Sequence, residues 1–353
     1  MAGDRQAASG WRSRVERIRE EEDERGELDW QEYGFGYQGA SPWEYEEAMR
    51  LKDALVRKFQ GMPLEEAIPG EAIQNRFGAC YHMRTCYPTE FKTLNPGSAR
   101  ANILSSLRLV YGIGQATEAQ LKEEGWFTLK ELLGHSRWGE GARSLLELLD
   151  HRNTKTLQEW VWHWFPKSHP LAFSLTGLHQ AEELVLVDIE TLGLFGRATI
   201  LLGIARPRPD GLEVRQWLVR SMREERAALS EFWSAIGEGT AVISYNGRAF
   251  DIPAVEERFG YYGEVVALGA PHFDLLHFSR RAWGGKLPDC RLSTLESHLL
   301  REGRTQDVPS ALVPQFYQTY LETRNVGPLS AIVAHNRQDL VSLAGIFSKL
   351  CDE

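Results

Sequence analysis

Cysteine is scarce in this sequence, which has four cysteines among its 353 residues. So few cysteines cannot build a disulfide scaffold, and their number is typical of a protein from a reducing compartment. Cys80, His82 and Cys86 lie close together, but their spacing fits no common zinc pattern and no second pair of ligands is near. We therefore expect this stretch to be an edge strand or a loop that binds no zinc.

A long apolar run is also missing. No stretch approaches the roughly 18 consecutive apolar residues that span a bilayer. The first ten residues contain no apolar core that could serve as a signal sequence. These features predict a cytoplasmic protein with no membrane partner.

Basic residues are not in excess, since 40 Lys and Arg stand against 49 Asp and Glu and give a net charge of −9. Proteins that coat nucleic acid without regard to sequence are usually basic, so this balance argues against a simple coating role. It does not exclude an enzyme that gathers carboxylates around metal ions, because the ions themselves bring positive charge to a phosphate.

The sequence does have distinct segments along its length. Residues 1–100 have no fold that the pattern assigns, and the charged run at residues 14–30 predicts a solvated helix or tail. Residues 101–150 have helical periodicity, and residues 151–180 form a connector rich in Trp, His and Pro. Residues 181–353 are predicted to form the largest domain.

This last domain begins with three apolar segments, LVLVDIE, ATILLGIA and VRQWLV, joined by short turns. Their lengths and spacing predict three strands in an antiparallel meander. A helix, the strand AVISYN, a second helix and a largely helical remainder follow. The pattern predicts an α/β fold with a mixed central sheet flanked by helices.

Two acidic residues stand at the end of the first predicted strand. In a strand, residues two apart point to the same face, so Asp188 and Glu190 can address one ion while Ile189 enters the core. A carboxylate held against a central sheet is costly unless a positive charge balances it. The position therefore predicts either ion pairs or bound cations.

Two further acids occupy rigid positions later in the chain. Asp251 begins a helix directly after YNGRAF, and Asp339 follows His335 by one helical turn on the same helix face. Oxygen ligands without clustered Cys or His favour Mg²⁺ or Mn²⁺ over zinc. Two such ions about 4 Å apart can hold the attacking and leaving oxygens of a phosphodiester. With an ordinary pKa of about 6.5, His335 suits the removal of a proton from water near neutral pH.

The motifs DIET, YNGRAFD and HNRQD resemble the three motifs of the DEDD (DnaQ-like) superfamily of 3′–5′ exonucleases, which have the ribonuclease-H-like fold. The run from FDLLHFSRRAW to HNRQDLVSL most resembles the YprB-like branch, and the likeness covers roughly residues 180–350. The resemblance implies two metal ions, Mg²⁺ or Mn²⁺. It implies that His335 is the general base and that the metal ligands are Asp188, Glu190, Asp251 and Asp339. It also implies contacts of Thr191 and Leu192 with the terminal nucleotide, and a supporting role for Asn246.

The sequence departs from the family in one spacing. Members with a catalytic His usually carry it five positions before the last Asp, whereas His335 lies four positions before Asp339. Four is the spacing of the members that carry Tyr at this place. His335 is still expected to face the metals, because residues four apart share a helix face.

The stretch YGIGQATEAQLKEEG resembles a helix-hairpin-helix motif, with Gly112, Ile113 and Gly114 as the hairpin and Gly125 closing the second helix. Two glycines let the backbone approach a phosphate, and the following helix N-terminus offers free N–H groups to it. The alternative is a plain helical hairpin in which the glycines only permit the turn.

Three weaker features are also visible. Asp274 fits a helix cap better than a further metal ligand. Trp126 and Trp283 are candidates for stacking on bases, whereas most of the eleven Trp residues are expected in the core. A locally basic cluster could follow a phosphate backbone or form a solvated face: Arg280, Arg281, Lys286 and Arg291.

Together these features predict a Mg²⁺- or Mn²⁺-dependent 3′–5′ exonuclease that acts on single-stranded nucleic acid, with DNA favoured over RNA. Two alternatives use the same fold: an inactive nucleic-acid-binding protein and a structure-specific endonuclease. A third alternative is an assembly scaffold that uses the aromatic-rich N-terminal region.

Overall fold

The computed structural model describes residues 42–193, 196–301, 303–304 and 307–353. The charged run at residues 14–30, for which the sequence predicts a solvated helix or tail, lies outside this part of the chain. No described helix combines the length and apolar character needed to cross a membrane.

Seven strands form one mixed sheet in the order β1-β2-β5-β4-β3-β6-β7. The strands are β1 Glu71–Asn75, β2 Gly78–Tyr87, β3 Leu184–Thr191, β4 Thr199–Arg208, β5 Gly211–Leu218, β6 Ala241–Ser244 and β7 His272–Asp274. Neighbours from β1 to β3 pair antiparallel, and β6 pairs parallel with both β3 and β7. Helices flank this sheet, so the predicted α/β fold with a mixed sheet is confirmed.

The described helices before β3 are α1 Pro42–Lys58, α2 Leu64–Ala67, α3 Pro96–Leu104, α4 Gln115–Glu123, α5 Leu129–Leu132, α6 Gly139–Asp150, α7 Thr154–Trp164 and α8 Pro170–Ser174. Those after β5 are α9 Glu225–Ile236, α10 Asp251–Tyr261, α11 Leu275–Trp283, α12 Leu292–Leu295, α13 Val313–Thr323 and α14 Gly327–Leu350. Short 3₁₀ turns and one π-helical turn, Glu296–Leu300, connect them.

The meander predicted for the three apolar segments is present as β3, β4 and β5. Strand β3 is buried on both faces of the sheet. Leu184 and Leu186 belong to the core beneath α11 and α14, whereas Val185 and Val187 belong to the core beneath α9 and α10. The strand is thus held rigidly from both sides, and it presents alternate residues to each layer.

Two strands from the region before residue 100 extend the sheet. Strand β2 pairs with β5 along seven residues, from Tyr81 opposite Leu218 to Tyr87 opposite Leu212. The stretch from Cys80 to Cys86 therefore lies in an inner strand, with β1 on its other side, and the expectation of an edge strand or loop was wrong. The predicted domain boundary at residue 181 stays a prediction, and hydrogen bonds of the sheet cross it.

The helical region between β2 and β3 shares a hydrophobic core with the sheet. Leu109, Leu132 and Leu145 belong to the same cluster as Leu186 and Leu343. Thr128 caps α5 with a capping box, as its position predicts. The pattern ANILSSLRLV at residues 101–110 predicts one short helix, but α3 ends at Leu104, so the predicted extent was wrong. Two serines follow Leu104, and serine is a poor residue for a helix interior.

Candidate active site

The first two acids of the site come from the end of β3. Asp188 and Glu190 share the face that carries Leu184 and Leu186, and Ile189 packs into the opposite core layer. Glu190 is buried and Asp188 is partly exposed. The alternation predicted from the sequence is therefore present, and it fixes both carboxylates against the sheet.

The third acid, Asp251, is the first residue of α10 and is buried. Its Oδ1 accepts a hydrogen bond of 3.1 Å from the backbone N–H of Ile189, the residue between the two strand acids. The preceding loop can pass this close only because residue 247 is glycine, since a Cβ there would lie 2.9 Å from Oδ2 of Asp251. The structure therefore brings Asp251 to the end of β3.

Helix α14 supplies His335 and Asp339. The Nε2 atom of His335 lies 3.8 Å from Oε1 of Glu190 and 3.7 Å from Oδ2 of Asp339. Glu190 and Asp339 thus lie beside this histidine, and the charges of Asp339, Glu190 and Asp251 all act on Asp188, so the fold brings the four acids near one another. We call Asp188, Glu190, Asp251 and Asp339 the carboxylate site.

The acids raise one another's pKa values. Burial, and after it the charges of Asp339, Glu190 and Asp251, raise the pKa of Asp188 well above its ordinary value. Burial also raises the pKa of Glu190 to about 8 and that of Asp251 to about 7. Burial raises the pKa of Asp339 as well, although His335 and an arginine oppose it. Such shifts mean that burial and neighbouring negative charge together disfavour the ionised carboxylates, and that the hydrogen bonds and cations at this place do not offset them.

Burial lowers the pKa of His335, but two other effects outweigh it. A hydrogen bond of 2.6 Å between Nδ1 and Oδ1 of Asp307 raises this pKa, and so do the negative charges of Asp339 and Glu190. The net result is a pKa of about 9. Asp307 therefore fixes the orientation of the ring and leaves Nε2 facing the carboxylate site and the hydroxyl of Ser310, 3.2 Å away.

Asn336 is a positioning residue that the motif alone did not reveal. Its side-chain amide donates to Oδ2 of Asp188 at 2.6 Å and to the backbone carbonyl of Asp188 at 3.0 Å. Its Oδ1 accepts from Nε2 of Gln216 at 2.7 Å. Asp188, Gly203 and Gln216 lie side by side on three neighbouring strands, and a Cβ at Gly203 would clash with Oδ1 of Asn336. The glycine therefore makes room for the amide.

Arg304 is a second residue of this site that the sequence pattern does not reveal. Its guanidinium is paired with Asp339, with Glu296 at 2.5 Å and with Asp307 at 3.0 Å. It is the one arginine paired with an acid of the carboxylate site among the described residues. It lies in an irregular segment whose sequence has no periodicity, so only its place in the folded chain reveals it.

The sequence of this chain is similar to a known protein family. A family model described as the RNase_H superfamily matches residues 185–351. Those residues form a ribonuclease-H-like domain. Within it lie all four acids of the carboxylate site, together with His335.

Two known proteins resemble the chain over part of its length. The uncharacterized protein YprB of Bacillus subtilis (strain 168) is 33% identical over 194 residues, which are 53% of this chain and 46% of that protein. The chain thus spans about half the length of this relative. A family B DNA polymerase from the hyperthermophilic archaeon Pyrobaculum calidifontis is 17% identical over 47% of this chain and 24% of that chain, with a TM-score of 0.39. At that score the likeness says nothing of function.

The ribonuclease-H-like domain has the donor set that a hard divalent cation prefers, namely several carboxylate oxygens without cysteine. Burial chiefly, and the neighbouring carboxylates after it, raise their pKa values, and a bound cation would oppose both effects by favouring the ionised carboxylates. As the side chains stand, no group of three or more His, Cys, Asp or Glu among the described residues is arranged to hold a metal ion. The Arg304 guanidinium pairs with Asp339 and must move if Asp339 is to serve as a ligand.

The other predicted site residues surround this centre. The Oγ1 of Thr191 donates to the carbonyl of Gly193 at 2.6 Å, and Leu192 is buried in a hydrophobic cluster with Leu201 and Val313. Their contact with a nucleotide stays a prediction. Asn246 has a positive φ of 66°, and its backbone N–H donates to Oδ1 of Asp274 at 2.8 Å.

Asp274 caps α11, as the sequence predicts, by accepting from the backbone N–H of Leu276. It also accepts from the backbone N–H groups of Asn246 and Arg248. Asp274 is also the last residue of the short strand β7, which lies in the part of the chain that the sequence predicts to be largely helical. Asp274 therefore fixes the loop that leads to Asp251.

The predicted hairpin lies apart from the carboxylate site in sequence. Gly112 has a φ of 84° and packs over the ring of Trp138, Ile113 is buried, and Gly114 caps α4 without a side chain near it. The geometry fits both a phosphate-binding hairpin and a plain turn between helices. Nucleic-acid binding by these three residues stays a prediction.

Proposed function

We propose that the protein is a Mg²⁺- or Mn²⁺-dependent 3′–5′ exonuclease that hydrolyses single-stranded nucleic acid, with DNA favoured over RNA. The observation that carries this proposal is the carboxylate site. Four acids come near one another at the end of β3, two of them beside His335, and burial together with their mutual repulsion raises the pKa values of Asp188 and Glu190. The ribonuclease-H-like fold implies a nucleic acid as the substrate, and the order of the three motifs supports exonuclease activity.

In this proposal Asp188, Glu190, Asp251 and Asp339 hold two divalent ions. When bound, such ions polarise the phosphate and stabilise the charge that develops on the oxygens in the transition state. The protein's own part is to keep these carboxylates fixed, through the sheet for Asp188 and Glu190 and through the Ile189 amide for Asp251.

His335 acts as the general base in this proposal. It takes the proton of the attacking water at Nε2, the ring nitrogen that faces Glu190 and Asp339. The hydrogen bond to Asp307 and the charges of Asp339 and Glu190 raise its pKa, so neutralisation of Asp339 and Glu190 lowers the pKa of His335. Asp307 holds Nδ1 and stabilises the protonated ring after the transfer.

A second candidate is the nucleic-acid-binding protein without hydrolytic activity. The pairing of Arg304 with Asp339 favours it, because a guanidinium already neutralises part of the charge that a metal ion would neutralise. The two candidates differ in one property that can be measured, since only the first hydrolyses phosphodiesters.

The test uses 5′-labelled single-stranded DNA and RNA oligonucleotides with Mg²⁺ or Mn²⁺. The proposal predicts a ladder that shortens from the 3′ end, and a loss of about 10³-fold in rate for Asp188→Asn. The matched control is Asp210→Asn, the same chemical change at an exposed acid in the turn between β4 and β5, at the opposite end of the sheet.

Three results decide between the candidates. Hydrolysis that survives in the Asp188→Asn variant would mean that the carboxylate site is not the source of the activity. Cleavage of a circular single strand would show an endonuclease. Binding without any cleavage would favour the inactive binding protein.

A further inference from the structure

A row of cations begins beside the carboxylate site. Arg248 lies three residues before Asp251, and its guanidinium carbon is 4.1 Å from the ring centroid of Trp162. Its Nη1 donates to the backbone carbonyl of His272 at 3.3 Å. This pairing with an aromatic ring and a carbonyl fixes Arg248 without neutralising its charge.

The positive charge of Arg248 and of two further cations acts on His277 of α11. Burial lowers the pKa of His277, the carboxylate of Asp274 raises it, and the charges of Lys167, Arg248 and Arg280 lower it again. These three cations come from three different segments of the chain, so the fold assembles them. Lys167 and Arg280 are exposed to solvent.

A second group of cations lies around His169, in the segment that follows α7. Burial lowers the pKa of His169, and the charges of Arg281 and Arg108 lower it further. The ring centroid of Phe165 lies 4.2 Å from that of His169 and 4.8 Å from the guanidinium carbon of Arg108. A second group of cations, again interleaved with an aromatic ring, therefore follows the first.

The row ends at two exposed aromatic side chains next to the predicted hairpin. Tyr111 directly precedes Gly112 and is 74% exposed, and Trp164 at the end of α7 is 37% exposed. Their ring centroids are 5.6 Å apart. Nearby, Nε1 of Trp160 donates to the carbonyl of Leu109 at 2.7 Å and ties α7 to the hairpin segment. Helix α7 and the residues after it therefore link both ends of the row.

Four cations of this row have no carboxylate partner in the part of the chain that the structure describes. Among the described residues, Arg108, Lys167, Arg280 and Arg281 form no ion pair, whereas Arg258 and Arg304 are both paired with carboxylates. Unpaired cations are notable in a chain with a net charge of −9. They provide a local positive surface that the composition as a whole does not suggest.

We call this surface the basic-aromatic track, and it consists of Arg248, Trp162, Lys167, Arg280, Arg281, Phe165, Arg108, Tyr111 and Trp164. Unpaired cations beside the exposed ring pair of Tyr111 and Trp164 match the chemistry of single-stranded nucleic acid, whose phosphates need positive charge and whose bases stack on aromatic faces. An acidic protein partner would use the cations but would not need the exposed ring pair.

We propose that a single strand of nucleic acid leaves the carboxylate site along the basic-aromatic track and stacks bases on Tyr111 and Trp164. The identity of the ligand rests on the proposed function. The binding itself does not require hydrolysis, so the two can be tested separately. Sequence reasoning had chosen Trp126 and Trp283 for stacking, but Trp283 is buried and its Nε1 donates to Glu353.

The test measures binding of the full chain to a labelled single strand of about 15 nucleotides in EDTA, which prevents metal-dependent cleavage. One variant combines Arg280→Gln with Arg281→Gln, and another combines Tyr111→Ala with Trp164→Ala. The control combines Arg57→Gln with Lys58→Gln, two exposed cations at the end of α1. Helix α1 contacts Gly327 at the start of α14, whereas α11 packs near the other end of that helix.

The arginine variant should reduce the slope of log Kd against log salt by about 1.4, because two phosphate contacts to a single strand are lost. The aromatic variant should weaken binding by about 10-fold or more while leaving the salt slope unchanged. The control should change neither quantity, and circular dichroism should show that all variants are folded.

If the control lost as much binding as the arginine variant, the proposed track would be wrong, because the loss of any two cations would then weaken binding equally. Binding of an acidic protein but no oligonucleotide would overturn it as well. Binding with the expected salt slopes in a protein that hydrolyses nothing would support the track and contradict the proposed exonuclease.

Discussion

The molecule has two buried acidic sites, one around Glu225 and the other the carboxylate site, and they differ in how the negative charge is balanced. Glu225 is 1% exposed and accepts four hydrogen bonds: from the Thr199 N–H at 2.7 Å, from Nε and Nη2 of Arg258 at 2.8 and 2.7 Å, and from the Tyr262 hydroxyl at 2.7 Å. Its carboxylate is fully satisfied within the protein. Such a cluster is built for structure, because every buried charge has its partner.

The carboxylate site has the opposite character. Asp188 and Asp251 receive hydrogen bonds from neutral amides, and the cations near the site are the Arg304 guanidinium and His335. The result is a set of raised carboxylate pKa values. The comparison teaches that burial of an acid alone does not indicate a metal site. Burial together with unbalanced charge does.

The largest effect is expected from a substitution of Glu225, the buried acid whose charge the protein itself balances. Replacing Glu225 with Ala leaves the Arg258 guanidinium buried without its partner, and we expect this to lower the free energy of unfolding by about 3–5 kcal/mol. Chemical denaturation measures the change. Glu238→Ala, at an exposed glutamate, serves as the control. A loss below about 1 kcal/mol would mean that Glu225 and Arg258 do not form the structural pair described here.

A smaller effect is expected where neutral groups hold the carboxylate site. Asn336→Ala removes the amide that orients Asp188, so metal-dependent hydrolysis and Mn²⁺ affinity should both fall by about 10–100-fold while the protein stays folded. Gly203→Ala should act in the same direction, because its Cβ displaces the Asn336 side chain. If the affinity for Mn²⁺ were unchanged in both variants, Asn336 would not be the residue that positions Asp188.

The smallest effect concerns pH in the metal-free protein. Folding raises the pKa of Glu190 to about 8 and that of Asp251 to about 7, so the folded state binds more protons than the unfolded state between about pH 4 and pH 8. His335, raised to about 9, acts in the same direction, because its contribution is present below its unfolded pKa and is lost as the pH rises through 9.

Stability in EDTA should therefore fall as the pH rises from 5 to 8, and Glu190→Gln should make the protein more stable at pH 8 by about 1–2 kcal/mol. Thermal melts across this range provide the measurement. A melting temperature that rises steadily with pH would show that the carboxylates are already neutralised by the protein.

Much of the site could be predicted from the sequence because the relative positions of several of its residues follow from short stretches of chain. Strand alternation places Asp188 and Glu190 on one face, and helix periodicity places His335 near Asp339. These patterns depend only on neighbouring residues, so they can be seen before the fold is known. The motif order then joins them into one expectation.

The residues that sequence reasoning missed depend on contacts across the fold. Gln216 reaches Asn336 over 120 positions, and Arg304 meets Asp339 over 35. Strand β2 joins the sheet beside β5 although more than 120 residues separate them in sequence. The three-residue strand β7 is too short for its alternation to stand out against the helix that follows. Periodicity carries no information about such pairings.

The central claim is that divalent cations neutralise the carboxylate site, and calorimetric titration with Mn²⁺ at pH 8 tests it most directly. We predict that the wild-type protein binds Mn²⁺ and releases protons, that its melting temperature rises, and that Asp188→Asn greatly weakens this binding whereas Asp210→Asn does not. Wild-type protein that neither binds Mn²⁺ nor melts at a higher temperature in its presence would contradict the claim.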